Sequence, residues 1–229
     1  MNPPAVFPAG QAITAALKPE EEAALRSLAE REGRGSEFKA FFPSQYTDSF
    51  AVEGGGVSAV LRPLGALPAS AATENGQVVY HGAYRETDSL HVVGAGRTEE
   101  FLYLHNANAP RRFEYELSEV KGAREVTSEG GAIRFAGETG SGLQIEAPWV
   151  VDASGKRREG AVKWELGEAR LDGSRRLSLV VLNEAKLSYT ALIDPSWSTT
   201  GALATPRNRQ HRLPLPRRRQ VLVQLPLRP

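Results

Sequence analysis

Between Phe113 and Val181 an apolar side chain recurs at every second position, and turn-forming residues interrupt the pattern at short intervals. Phe113, Tyr115 and Leu117 alternate with Glu114 and Glu116, and Ile133 and Phe135 flank Arg134. Leu143, Ile145 and Ala147 alternate with Gln144 and Glu146, and Val162, Trp164 and Leu166 with Lys163 and Glu165. Leu177, Leu179 and Val181 complete the series. Period two belongs to a strand with one face on a core and the other in water. Glu129-Gly130-Gly131, Gly140-Ser141-Gly142, Ala153-Ser154-Gly155 and Asp172-Gly173 supply the tight connections. No helix-length periodicity separates these strands, which argues against βαβ units. The expected fold is all-β, an antiparallel β-sandwich or bent meander sheets, with one short N-terminal helix.

Upstream of Phe113 the segments are shorter. Ser49–Glu53, Val57–Leu61 and the run after Asn75-Gly76 through Val78, Val79 and Tyr80 are strand-like, and Asn-Gly is a strong hairpin element. Leu90–Val93 runs into a glycine turn, and Glu100–His105 follows. In that last segment Phe101 and Tyr103 share one face while Leu102 and Leu104 share the other, so it is expected to be covered on both sides. Pro19–Glu32 is the predicted helix, with Glu20, Glu21 and Glu22 at its positive end and Gly33 as its stop. Three regions follow: an N-terminal arm over 1–36 with its helix at about 19–32, a β module over 37–201, and a basic Pro/Arg-rich tail over 202–229, expected to be disordered.

The net charge of +1 hides this division. Seven arginines and no acidic residue lie beyond Pro206, so the rest of the chain carries −6. The body therefore lacks the basic footprint of a nucleic-acid binder, which leaves nucleic acid as a reading of the tail alone. No stretch approaches the roughly 18 apolar residues of a membrane span. Cysteine is absent, which excludes disulfides, thiolate metal sites and a cysteine nucleophile. The first residues have three prolines and no basic start, so no signal peptide is visible.

The residues that could carry chemistry are scattered. His81, His91 and His105 stand in or beside strands without a second histidine at ligand spacing, and His211 is in the tail. Gly54-Gly55-Gly56 and Gly94-Ala95-Gly96 open no helix and are turns rather than phosphate loops. Glu99, Glu100, Glu114, Glu116, Glu146 and Asp152 are numerous enough for an acid–base pair, but Glu114 and Glu116 belong to the wet face of an amphipathic strand. No catalytic residue, cofactor site or metal site is assigned. Tyr46, Tyr80, Tyr84, Trp149 and Trp197 are the candidate ligand-contact aromatics, of the kind that stack on sugar rings.

Leu187–Gly201, LSYTALIDPSWSTTG, is a strand that must stop at Pro195. It resembles the strand-plus-turn that closes a β-rich N-terminal module of bacterial, myxobacterial-type, secreted and surface proteins, in which a kelch-like β-propeller follows. Glu86–Leu117 and Trp149–Leu166, WVVDASGKRREGAVKWEL, resemble the same module. The likeness covers roughly 48–201, and only the I-D-P-S-W end is distinctive. It implies a non-catalytic structural or adhesive module of a secreted or cell-surface protein, with a surface glycan or protein as partner. A carbohydrate-binding accessory domain or a fragment of a carbohydrate-active enzyme is the alternative, and nucleic-acid binding through the arginine-rich tail a second one. Beyond about residue 209 the arginine-rich sequence replaces the expected propeller repeat, so the resemblance implies a truncated or frameshifted chain with a leader lost upstream.

Overall fold

The structure is a computed structural model, and it describes residues 5–7, 38–74, 77–94 and 96–201. The expected helix at 19–32, the Asn75-Gly76 dipeptide and the tail over 202–229 lie outside the described residues. In chain order the strands begin β1 (Ala5–Phe7), β2 (Lys39–Phe42), β3 (Phe50–Gly54), β4 (Val57–Leu64), β5 (Ala71–Glu74) and β6 (Gln77–Tyr84). The middle set is β7 (Thr87–Gly94), β8 (Arg97–Leu104), β9 (Arg112–Lys121), β10 (Ala123–Glu129), β11 (Ala132–Gly137) and β12 (Gly142–Ile145). The last are β13 (Trp149–Asp152), β14 (Arg157–Glu159), β15 (Val162–Leu166), β16 (Arg175–Val181), β17 (Ala191–Asp194) and β18 (Trp197–Thr200). The described chain is all-β, as the alternation requires, and every strand pair is antiparallel.

Two sheets form. The first runs β1-β2-β3-β4-β9-β16-β15, so residues 5–7 of the N-terminal segment add a strand beside β2. The second runs β10-β11-β12-β18-β8-β17-β13-β14, with the meander β5-β6-β7 attached to the other edge of β8. Ile193 faces Leu102, and Trp197, four residues on, faces Thr98, four residues back. β17 and β18 are therefore two halves of one strand along β8, broken where Pro195 has no N–H to donate.

The sheets close on a single core. Across the first sheet Trp164, Leu179 and Phe113 sit in one row, and Leu177 and Tyr115 in the next. Their inner faces meet Ile133, Phe135, Leu143, Ile145, Leu102 and Leu104 from the second sheet, all buried. Burying each of these side chains is worth about 1.5–3 kcal/mol. The outer face of the first sheet is polar and internally paired: Arg62–Glu116 and Arg112–Glu165 at 2.7 Å, Arg176–Glu114 at 3.2 Å. The expected alternation fails at Ala147, which is exposed, because β12 ends at Ile145 before Pro148 leads into β13. At one end the β3–β4 turn is pressed onto β12. A side chain on Gly55, at φ +60°, would lie 2.5 Å from the Gly142 backbone.

Candidate functional site

β7 is built inside out. In β7 the side chains turned toward the core are Thr87, Ser89 and His91, all buried, while Leu90 and Val92 face outward and are half-buried. The registers extend this arrangement. Val79, Leu90 and Phe101 occupy one outer row, and Asp88, Tyr103, Leu192 and Val151 the next. An antiparallel face in water is normally polar. Here it carries apolar and aromatic side chains, Val79 buried and Leu90, Phe101, Tyr103, Leu192 and Val151 half-buried.

The inward side of the same strands holds a sealed polar cluster. Glu100 and His91 are each 3 % exposed. Tyr46 donates to Glu100 Oε1 at 3.0 Å, and Ser89 Oγ donates to the same oxygen at 3.1 Å. Ser89 Oγ also lies 3.1 Å from His91 Nε2. A hydroxyl has one proton, and Ser89 gives it to Glu100, so neutral His91 donates its Nε2–H to Ser89. Tyr80 donates to the Pro43 carbonyl at 2.7 Å. The hydroxyls of Tyr84 and Tyr115 turn into the same interior close enough to act on Glu100 electrostatically, but neither has a hydrogen-bond partner of normal geometry. Burial pushes the Glu100 carboxyl up to about 7, against the Tyr46, Ser89 and Tyr115 hydroxyls that pull it down. Burial drives the His91 imidazole down to about 3. Between about pH 3 and 7 both groups are held in their neutral forms in a low-dielectric interior.

The outward side holds an open cluster on the same meander. Between Tyr80 and Tyr84 the pairing of β6 with β7 slips, so three residues of β6 oppose Asp88 alone. Gly82, at φ +66°, allows this bulge, and its N–H donates to Asp88 Oδ1 at 2.8 Å. The bulge turns His81 Nδ1 to 3.4 Å from Asp88 Oδ2, and His105 Nε2 reaches that oxygen at 3.2 Å. The two imidazole side chains are 56 % and 41 % exposed, the carboxylate between them 17 %. Partial burial pulls the Asp88 carboxyl upward, but the Gly82 N–H and the two imidazoles outweigh it and leave it below its ordinary value. In the adjoining turn Glu86 has φ 53°, alone among the described non-glycine residues in being left-handed. Its carboxylate accepts from Asn106 Nδ2 at 2.6 Å and its carbonyl from the His105 N–H at 2.9 Å, which hold the strained turn in place.

The aromatic band leads away from this cluster. The Tyr103 and His105 rings are edge-on with centroids 5.0 Å apart, and Phe101 meets Trp149 edge-on at 6.5 Å. Arg157 lies 4.4 Å over the Trp149 ring. Asp194 pairs in register with Trp149 and accepts from Ser196 Oγ; burial raises its carboxyl.

Of the five candidate aromatics, Trp149 is on this outer face, half-buried; Tyr46, Tyr80, Tyr84 and Trp197 are interior. The candidate carboxylates do not gather. Glu99 and Glu100 are neighbours on β8 and point to opposite faces. Glu114 and Glu116 are tied to arginines on the first sheet, and Asp152 is held by Arg158 at 2.8 Å and by the Ser154 and Ser188 N–H groups. The grouping of His81, Asp88 and His105 was invisible to spacing rules, since it depends on the β6–β7–β8 register and a bulge. Among the described residues no group of three or more histidine, aspartate or glutamate side chains is arranged to hold a metal ion. Comparison with protein-family models, with curated proteins and with solved structures gives no match.

Proposed function

We propose that the chain is a non-catalytic adhesive β module of a secreted or cell-surface protein, and that it meets a surface glycan through the outer face of its second sheet. The inverted strand carries this reading. β7 hides Ser89 and His91 and leaves Leu90 and Val92 outside, beside Phe101 and Tyr103 of β8 and Trp149 of β13. A fold that spends polar groups in its core to keep aromatic ones on its surface has a use for that surface. Aromatic rings offer apolar surface to the C–H faces of sugars, and Asp88, His81, His105 and Arg157 supply hydrogen-bonding groups at the margin. The resemblance of 48–201 to a propeller-associated surface module supports the same assignment. The non-catalytic part rests on the sealing of Glu100 and His91 away from any substrate.

A glycan array probed with the full chain tests the reading, repeated with Phe101→Ala, Tyr103→Ala and Trp149→Ala. The expected result is binding to a restricted set of glycans that falls about tenfold or more with each change. Absence of binding across the array, or binding indifferent to all three changes, overturns it.

A further inference from the structure

We propose that the His81–Asp88–His105 cluster reverses the charge of one end of the outer face as its surroundings acidify, so that the face engages acidic polysaccharide in mild acid and releases it at neutral pH. This rests on the reading of that face as a glycan-contact surface and adds the class of glycan and the control of its binding. The groups come from three consecutive strands: His81 from the β6 bulge, Asp88 from β7, and His105 just beyond β8. Both imidazoles address one carboxylate oxygen, at 3.4 and 3.2 Å.

The two charged residues of the adjoining turn cancel each other. Arg85 and Glu86 occupy the β6–β7 turn, Arg85 donating to the Asn108 carbonyl at 3.0 Å and Glu86 accepting from Asn106. With neutral imidazoles the cluster therefore carries the single negative charge of Asp88, which repels an anion. Histidine is the side chain whose ordinary charge change falls between pH 5 and 8. Asp88 stays ionised through that range, held below its ordinary value. With both imidazoles protonated the cluster carries one net positive charge. The sign has changed, and the Tyr103 ring beside His105 places apolar surface for a sugar next to it.

The test is binding of the full chain to immobilised dextran sulfate at pH 5.5 and 7.5 by biosensor, with uncharged dextran as the reference surface. The arginine-rich tail contributes attraction at both pH values, so the readout is the ratio between them. Wild-type protein is expected to bind about tenfold more tightly at pH 5.5, with the ratio shrinking in high salt. His81→Gln with His105→Gln is expected to bring the ratio close to one, while His211→Gln in the tail leaves it as in wild type. Both cluster histidines are exposed, so thermal unfolding of the double variant should match wild type and confirm that it is folded.

A ratio that survives in the double variant, or that disappears with EDTA, overturns the proton switch. A pH-independent wild type that still binds its glycans on the array overturns the switch and leaves the glycan reading intact. Failure on the array and on dextran sulfate together overturns both.

Discussion

One three-stranded meander carries two histidine–carboxylate clusters, and they behave as opposites. His91 and Glu100 face inward and are shut off from water, while His81, Asp88 and His105 face outward and meet it. Asp88 and His91 are three residues apart on one strand, so the pleat alone assigns them to different faces. Inside, burial drives both partners to their neutral forms. Outside, a carboxylate held below its ordinary value lies between two exposed imidazoles. Chemistry here is decided by the side of the sheet a residue occupies, more than by its identity.

The comparison can be broken from its strongest side first. Tyr80→Ala removes a ring packed against Tyr46 and His91, and with it the bond to Pro43. It should cost about 3–5 kcal/mol in urea unfolding. A loss below about 1 kcal/mol would mean the inner cluster is not packed as described.

The next effect is on pH dependence. Glu100 has a folded value of about 7 against an ordinary 4.5, so its stabilisation is complete below 4.5 and is lost as the pH rises to 7. His91 has a folded value of about 3 against 6.5, so its stabilisation is complete above 6.5 and is lost as the pH falls toward 3. Between 4.5 and 6.5 the folded pair holds one proton, on Glu100, and the unfolded pair holds one, on His91. Folding then exchanges no net proton through this pair, and its contribution to stability is flat. His91→Gln should expose the Glu100 slope, a fall relative to wild type of about 1.4 kcal/mol per pH unit across that window. Glu100→Gln should expose the opposite slope. Parallel curves for wild type and both variants would show that the pair is not neutral inside.

Smaller effects sharpen the contrast. Tyr46→Phe deletes one of the two donors to Glu100 Oε1 and should cost about 1–2 kcal/mol in the same assay. Tyr103→Ser and His81→Gln, on the open side, should each stay within about 0.5–1 kcal/mol of wild type while altering binding. A stability loss at Tyr103 comparable to that at Tyr80 would show that the outer face is core and not contact surface.

Much of the architecture could be read from alternation. Glu114 and Glu116 face water and Phe113, Tyr115 and Leu117 are buried, because polar and apolar residues fall cleanly on opposite parities there. The interruption at Pro195 was equally legible, since proline cannot donate to a ladder. β7 and β8 were harder. Leu102 and Leu104 are in the core as their alternation implies, and Phe101 and Tyr103, expected to be covered, are covered in part. When both parities offer apolar residues, periodicity defines two faces without saying which one meets the other sheet. In β7 the inward parity is the polar one, and hydrogen bonding among Ser89, His91 and Glu100 supports it. That compensation is a property of three dimensions, as is the bulge that brings His81 to Asp88.

The most direct test of this division is ring-proton NMR of the histidines between pH 4.5 and 8. His91, buried and with a value of about 3, should not move across that range. A His91 resonance that titrates inside that range would contradict the account.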